Sequence, residues 1–188
     1  MKIYEIEAGE KVEIEQNFEN FYSLVEQNCS EALSAMKATK KFLYRGVKYA
    51  QHSAFHGESR ENRNTLDTSE RSQRSIDFLL KHSGFTALRS NSIFCTSSSS
   101  FAGGYGLTYL IFPINGFAFT WAKRIRDLAF SEIQGDDPSL VSKYGFNGTN
   151  FVAALMSGNE IYIHGEYYAC SVETYGAFMK DKVFKNNT

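Results

Sequence analysis

The spacing of apolar residues changes near residue 40, and this change limits the folds open to the chain. Between Gln16 and Lys40, apolar side chains recur at steps of three and four, which predicts an amphipathic helix. Beyond Lys41 they fall in short apolar runs, which are typical of strands. Because helices dominate the first half and strands the second, the sequence predicts an α+β fold rather than an alternating parallel one. Strands are predicted at 42–47, 92–96, 108–113, 117–121, 160–163 and 167–172.

The segments between the predicted strands carry loop, turn and helix signals. Residues 51–74 are mostly polar or charged, so a long surface loop is expected there, leading into a helix that begins near Thr68 and stops at Gly84. The dipeptide Asn115-Gly116, between two apolar runs, is a strong hairpin signal. Turns are expected at 97–106, and shorter helices are predicted at 123–133 and 150–156.

The length and charge of the chain narrow its class. Its 188 residues fit a single domain, with residues 1–40 as a helical lead-in to a core over 41–188. The 20 basic residues are balanced by 21 acidic ones, whereas a non-specific nucleic-acid binder would normally carry a basic excess. Whole-chain charge therefore gives no support for that role.

Cysteine usage and hydropathy point to the cytosol. Cys29, Cys95 and Cys170 are widely spaced, with neither a CxxC pair nor a Cys/His ligand spacing, so reduced thiols and no metal are expected. No apolar run reaches the roughly 20 residues needed to span a bilayer, and the N-terminus has no apolar core of signal-peptide length. The sequence thus predicts a cytoplasmic protein without a membrane partner.

Arg45 interrupts the apolar run at 42–47 and is followed by Gly46. Burying a guanidinium group is costly unless its planar fork is paired. One interpretation is a bidentate clamp on the phosphates of a dinucleotide, with Gly46 letting the backbone approach the ligand. The alternatives are an arginine on an edge strand that reaches solvent and one that pairs with a carboxylate of the core.

Hydroxyl groups cluster directly after another strand-like apolar run. Thr96-Ser97-Ser98 would stand at a strand end beside the Gly-rich segment 101–106, where Tyr105 could stack on a flat ring. These hydroxyls are candidates for seating a ribose, although serine runs are also common in flexible loops. Neither the GxxxxGKS/T nor the GxGxxG spacing is present, so a P-loop or a Rossmann fingerprint is not supported.

Glu160 opens the apolar run 160–163 after a short polar segment. A carboxylate here can hydrogen-bond a ribose hydroxyl and stabilise an oxocarbenium-like centre, as carboxylates do in glycosidases. The other interpretation is a solvent-exposed strand start. Together, Arg45, the hydroxyls of 96–98 and Glu160 supply the groups needed to hold a pyrophosphate, seat a ribose and stabilise positive charge at an anomeric carbon.

The order of these three segments, with their flanking residues, resembles the Arg–Ser–Glu class of ADP-ribosyltransferases over about residues 42–173. The compact size is also similar to transferases encoded by bacteriophages. The resemblance implies a split, strongly twisted β-core with flanking helices that consumes NAD as a substrate. It implies that Arg45 anchors phosphate, that the hydroxyls of 96–98 seat the nicotinamide ribose, and that Glu160 is catalytic. Tyr105 is expected nearest the nicotinamide.

One position departs from the family pattern. Members that modify arginine or asparagine carry Glu or Gln two residues before the catalytic Glu, and this chain has Gly158 there, unless Asn159 takes that role. The acceptor is therefore left open between a host protein, a nucleic acid, and water, which would make the protein an NAD glycohydrolase. A non-catalytic interaction or virion protein on the same fold is a further alternative. For a phage-encoded enzyme the expected setting is the bacterial cytoplasm.

Overall fold

The structure is a computed structural model that describes residues 12–13, 17–49, 52–61, 70–127 and 137–185. Within these ranges, helices and strands follow one another throughout the chain. The strands are β1 (Val12–Glu13), β2 (Leu43–Val47), β3 (Ala54–Glu58), β4 (Ile93–Thr96), β5 (Leu107–Pro113), β6 (Ala118–Ala122), β7 (Phe146–Asn147), β8 (Glu160–His164) and β9 (Glu166–Ser171). The helices are α1 (Phe18–Asn28), α2 (Ser30–Thr39), α3 (Glu70–His82), α4 (Ser99–Gly103), α5 (Ser139–Tyr144), α6 (Phe151–Ser157) and α7 (Val172–Phe184).

The described strands form one open antiparallel sheet in the order β1-β3-β9-β5-β2-β4-β8-β6-β7. β2 pairs with β5 along its whole length, whereas the register between β2 and β4 is the single pair Tyr44–Thr96. This β2–β4 junction joins two well-paired parts of the sheet, β1-β3-β9-β5-β2 and β4-β8-β6-β7. The mixed helix-and-strand class expected from the sequence is confirmed, and the sheet is not an alternating parallel one. The expected separation of helices into the first half and strands into the second is wrong, because helices and strands are interspersed in both halves.

The hairpin predicted at Asn115-Gly116 is wrong. The chain does turn there, with Gly116 at a φ of 87° and a hydrogen bond from the Phe117 N–H to the Ile114 carbonyl. However, β5 pairs with β2 and β9, while β6 pairs with β7 and β8. The turn carries the chain from one part of the sheet to the other, because local turn chemistry favours a reversal of direction without selecting the strand that lies alongside.

The single helix predicted over 16–40 is two helices, α1 and α2, separated at Cys29. Cys29 has φ −121° and ψ 31°, which departs from helical geometry. The Asn115 side-chain oxygen accepts from the Glu31 N–H at 3.0 Å and so satisfies one of the donors exposed at the start of α2. Apolar residues continue at helical steps on both sides of Cys29, so periodicity alone does not reveal the break.

Three other segments differ from their sequence-based prediction. Residues 54–58 of the expected surface loop form β3, which was missed because Phe55 is its only large apolar residue. Residues 99–103 of the expected turns form α4, whose first turn is capped by the Ser98 hydroxyl. Residues 123–127 are not helical, and the rest of that predicted helix, 128–133, lies outside the described residues.

Among the described residues, two apolar cores support the sheet. In the larger one, α1, α2, α6 and α7 pack together with the strands, and the rings of Phe21, Phe112 and Tyr175 are fully buried. In the second, Ile76 of α3 packs with Tyr162 of β8, so α3 supports the part of the sheet that contains β4 and β8. No helix within the described ranges is long and apolar enough to cross a bilayer.

Candidate functional site

The β2–β4 junction brings together the three segments singled out from the sequence. Thr96, the last residue of β4, is the register partner of Tyr44 on β2 and of Glu160 on β8. β2, β4 and β8 are therefore adjacent strands. Each carries one of the predicted groups, and the one on β2 is Arg45, which directly follows Tyr44. These groups are far apart in the sequence, and the order of strands in the sheet makes the strands that carry them neighbours.

Glu160 is fixed at the start of β8 and is only 7% exposed. Its backbone N–H donates to the Arg126 carbonyl at 2.9 Å. The chain enters β8 through Gly158, whose φ of 73° at the end of α6 is a conformation that glycine adopts without strain. The solvent-exposed strand start considered for Glu160 is therefore wrong, and a carboxylate buried to this degree needs compensating partners.

The hydroxyls of residues 96–98 have hydrogen-bond partners within the chain. The Thr96 hydroxyl donates to the Gly158 carbonyl at 2.9 Å and accepts from the Ser98 N–H at 3.1 Å. The Ser97 hydroxyl donates to the Leu155 carbonyl at 2.5 Å, and the Ser98 hydroxyl caps α4. The cluster therefore ties the end of β4 to α4 and to the turn before Glu160. Its contact with a ribose stays a prediction.

Arg45 lies in the middle of β2, half-buried, opposite Tyr109 of β5. Because β2 is paired on both sides, the edge-strand alternative for Arg45 is wrong. Gly46 has the backbone of α4 against it, since a Cβ at this position would lie 2.2 Å from the Ala102 carbonyl oxygen. The chain's own helix therefore approaches Gly46 closely, and the predicted approach of a ligand to this backbone stays a prediction.

Tyr105 stands exposed at the end of α4. It is 39% exposed, and its hydroxyl donates to Asp127 Oδ2 at 2.9 Å. The Phe101 and Tyr105 rings pack edge-on with their centroids 5.6 Å apart, and the Arg126 guanidinium lies 5.5 Å from the Phe101 ring centroid. These contacts link α4 to the segment that follows β6. The predicted stacking of Tyr105 on nicotinamide stays a prediction.

Arg89 is a further charged residue beside these groups, and sequence reasoning missed it. It is 4% exposed, its Nη1 donates to the Tyr162 hydroxyl at 3.2 Å, and its guanidinium lies 4.7 Å from the Phe94 ring centroid. The Arg89 backbone N–H donates to Asp77 Oδ1 of α3 at 2.7 Å. In the sequence Arg89 stands among small polar residues like a surface arginine, so no local signal distinguishes it.

Burial and neighbouring charges shift the pKa values around Arg89. Burial on its own lowers the pKa of Arg89, but the nearby Tyr162 and Glu160 side chains raise it, and the resulting pKa lies above its ordinary value. Burial, together with a smaller effect of Glu160, raises the pKa of Tyr162, so this phenol stays neutral. The region therefore combines a permanent cation, a neutral phenol and the buried Glu160.

The position two residues before Glu160 offers no side chain to an acceptor. Among the residues that the structure describes, nothing lies within 4 Å of the point where a Cβ of Gly158 would stand. The Asn159 Nδ2 donates to the Ala122 and Lys123 carbonyls at 2.9 and 3.2 Å, and an acceptor-orienting role for Asn159 stays a prediction. The Asn159 amide therefore fastens the end of β6 to the start of β8.

His164, the last residue of β8, hydrogen-bonds within the chain. His164 hydrogen-bonds with the Ser59 hydroxyl at 3.1 Å and the Asn91 carbonyl at 2.8 Å, so its ring links three segments of the chain. In the part of the chain that the structure describes, no group of three or more His, Cys, Asp and Glu side chains is arranged to hold a metal ion.

Comparison of the chain with family models, with curated proteins and with solved structures gives no match. The candidate site consists of the groups carried by three adjacent strands, β2, β4 and β8. Their chemistry, a half-buried guanidinium, a set of hydroxyls and a buried carboxylate, suits an anionic sugar substrate that develops positive charge as it reacts.

Proposed function

We propose that this protein is an ADP-ribosyltransferase that uses NAD as a substrate and cleaves the bond between nicotinamide and ribose. The observation that carries the proposal is the adjacency of β2, β4 and β8, with Thr96 opposed to both Tyr44 and Glu160. The single-pair junction between β2 and β4 is compatible with the split core of the Arg–Ser–Glu class. Sequence order and sheet topology thus support the same interpretation.

Arg45 and Ser97 are the groups best suited to hold the substrate. The planar fork of Arg45 can bind two phosphate oxygens at once. A hydroxyl has one donor and two acceptor sites. The Thr96 hydroxyl already donates and accepts within the chain, whereas Ser97 donates to Leu155 and keeps acceptor capacity for a ribose hydroxyl. Thr96 and Ser98 would then act mainly by orienting the turn that carries Ser97.

Glu160 supplies the catalytic carboxylate in this proposal. As the C1′–N bond breaks, its electron pair moves to the nicotinamide nitrogen and the ribose becomes oxocarbenium-like. A carboxylate already buried and oriented stabilises that charge without reorganising water. The acceptor then bonds to C1′ and releases its proton, giving ADP-ribosylated acceptor, nicotinamide and a proton.

The acceptor is proposed to be a host protein or a nucleic acid, in keeping with a phage-encoded enzyme acting in the bacterial cytoplasm. One observation favours water as a second candidate: Gly158 leaves the acceptor-orienting position without a side chain. In that case the same groups would make the protein an NAD glycohydrolase. Both activities require NAD cleavage that depends on Glu160.

The test uses the full chain, NAD labelled in the adenylate, and bacterial lysate. Nicotinamide release and labelled macromolecules are followed for the wild type, for Glu160→Gln and for Glu31→Gln, a matched control at an exposed glutamate of α2. We expect Glu160→Gln to lower nicotinamide release at least about a hundredfold, because it removes the charge that stabilises the transition state. Glu31→Gln should behave like the wild type.

The destination of the label separates the candidate functions. Labelled protein or nucleic acid indicates a transferase, and treatment with protease or nuclease identifies the acceptor class. Nicotinamide release with all label in free ADP-ribose indicates a glycohydrolase. If the wild type releases no more nicotinamide than Glu160→Gln, with or without lysate, the enzyme proposal is wrong and a non-catalytic binding role remains.

A further inference from the structure

Arg89 and Glu160 lie over the same stretch of the β4–β8 ladder. Thr96 is paired with Glu160, and two residues away Phe94 is paired with Tyr162. Side chains two residues apart on a strand share a face, so Tyr162 and Glu160 project to the same side of β8. Arg89 stacks on Phe94 and donates to the Tyr162 hydroxyl, which places its guanidinium on that side as well.

Burying the Arg89 guanidinium requires negative charge nearby. A cation that is 4% exposed and contacts only neutral rings would pay a large desolvation cost. Among the described residues, the carboxylates whose charge acts on Arg89 are Glu160, Asp127 and Asp77. Asp127 accepts from the Tyr105 hydroxyl, and Asp77 accepts from the backbone of the Arg89 loop. Glu160, at 7% exposed, is the carboxylate that itself needs a buried counter-charge.

The Arg89 loop is anchored so that this cation keeps one position. Asp77 Oδ1 accepts from the backbone N–H groups of Arg89 at 2.7 Å and of Ser90 at 3.3 Å, and the Asn91 side chain accepts from the Leu88 N–H at 2.7 Å. With its backbone and its guanidinium both held, Arg89 loses little further freedom when a substrate binds. A charge that is already in position before the substrate binds stabilises a transition state most effectively.

We infer that Arg89 is a positioning residue for Glu160, holding the Glu160 carboxylate ionised and directed toward the ribose. The inference rests on the proposed NAD chemistry, because it assigns Glu160 the role of stabilising a cationic sugar. Arg89 acts through Glu160 and makes no contact with the substrate. It is therefore distinct from Arg45, which binds phosphate.

The experiment measures nicotinamide release from NAD by the full chain, as kcat and KM, across a range of pH. The variants are Arg89→Met, which removes the charge at similar length, Arg89→Lys, which keeps a charge, and Tyr162→Phe, which removes the hydrogen-bond acceptor. Arg74→Met is the matched control, because Arg74 is an exposed arginine of α3. Thermal unfolding of each variant reports whether it is folded.

We expect Arg89→Met to lower kcat about tenfold to a hundredfold while the KM for NAD changes less than about threefold. Arg89→Lys should recover part of the loss. The described titratable groups around the pair include Tyr162 on β8, Asp127 after β6 and Asp77 on α3. Without Arg89 the ionised form of Glu160 loses its opposite charge, so the acidic limb of kcat/KM should move to higher pH.

Tyr162→Phe keeps the ring under Arg89 and provides the test if Arg89→Met does not fold. It should lower kcat about threefold to tenfold, since the guanidinium is then less firmly held. If a folded Arg89→Met, or Tyr162→Phe in its place, keeps the wild-type kcat and acidic limb while Glu160→Gln is inactive, the inference is wrong and the NAD proposal stands. If the wild type and Glu160→Gln release nicotinamide equally, both are wrong.

Discussion

Thr96 and Glu160 are register partners in the β4–β8 ladder, and the Thr96 hydroxyl also donates to the Gly158 carbonyl at 2.9 Å. Thr96 therefore positions Glu160 in two ways, through the ladder and through the turn that leads into β8. The Ser98 N–H donates to the same hydroxyl at 3.1 Å, so the turn after β4 is fixed as well. One hydroxyl on a residue that is 3% exposed joins three segments of the candidate site.

Replacing this hydroxyl should destabilise the protein. Thr96→Val keeps the shape of the side chain but leaves the Gly158 carbonyl and the Ser98 N–H without their partner, which we expect to cost about 1–3 kcal/mol of unfolding free energy. Thr96→Ser keeps the hydroxyl and should cost about 0.8 kcal/mol for the lost methyl group. Urea unfolding measures both, and a Thr96→Val protein as stable as the wild type would contradict the role given to Thr96.

Asp77 is expected to matter for stability because it holds the loop that carries Arg89. Its Oδ1 accepts from two backbone N–H groups, those of Arg89 and Ser90. Asp77→Ala should cost about 1–3 kcal/mol, since these donors lose their acceptor. Asp77→Asn keeps an acceptor oxygen and should cost less. Urea unfolding at neutral pH compares the two, and equal losses would show that the acceptor oxygen is not what matters.

The pH dependence of stability tests Asp77 independently. Burial raises the pKa of Asp77, so its carboxyl group binds a proton more tightly in the folded chain than in the unfolded chain. Its contribution to stability is therefore greatest below its unfolded pKa of about 3.9 and is lost as the pH rises through the folded value. As the pH rises through the folded pKa of Asp77, the Asp77→Asn variant should therefore become more stable relative to the wild type. Urea unfolding at each pH measures this difference.

Asp137 provides a control, because its pKa is shifted in the opposite direction to that of Asp77. Hydrogen bonds from the Ser139 hydroxyl and N–H lower the pKa of Asp137, so its contribution is present above its unfolded pKa and is lost as the pH falls through the folded value. Asp137→Asn should therefore lose stability relative to the wild type as the pH rises. Parallel curves for Asp77→Asn and Asp137→Asn would contradict the burial argument for Asp77.

The local elements of the site could be predicted from the sequence, but their assembly could not. The runs at 42–47, 92–96 and 160–163 are β2, β4 and β8, and Gly84 has the positive φ of 83° expected where a helix stops. Hydrophobic patterns and turn residues act over a few positions, so they identify such elements well. They do not specify which strands become neighbours, and the adjacency of β2, β4 and β8 came from the structure.

Arg89 shows why part of the site has no sequence signal. Its burial depends on Phe94, on Tyr162 and on Asp77, which come from β4, β8 and α3. Any one of these residues also fits an ordinary core or surface position. Only the packing of α3 against the β4–β8 ladder turns a polar loop arginine into a buried cation.

The cysteines should be unreactive in the folded protein. Cys29, Cys95 and Cys170 are all buried, and burial raises the pKa of Cys29 to about 12 and that of Cys170 well above its ordinary value. The thiolate is the reactive form, so a disulfide reagent at pH 8 should label the native chain only as fast as it unfolds. Three thiols should react at once in denaturant, whereas immediate labelling of the native protein would contradict the buried positions.

Gly46 should prove sensitive to substitution because α4 packs directly on β2. An added Cβ would lie 2.2 Å from the Ala102 carbonyl and 2.8 Å from Tyr105 Cβ, so Gly46→Ala must displace α4 and cost about 1–3 kcal/mol. Gly103→Ala in α4 is the matched control, because among the described residues its Cβ would meet Thr108 Oγ1 alone, at 3.6 Å, which is an ordinary contact. Helix propensity should make that variant neutral or more stable by up to about 1 kcal/mol. Urea unfolding measures both, and equal stabilities would mean that α4 does not rest on Gly46.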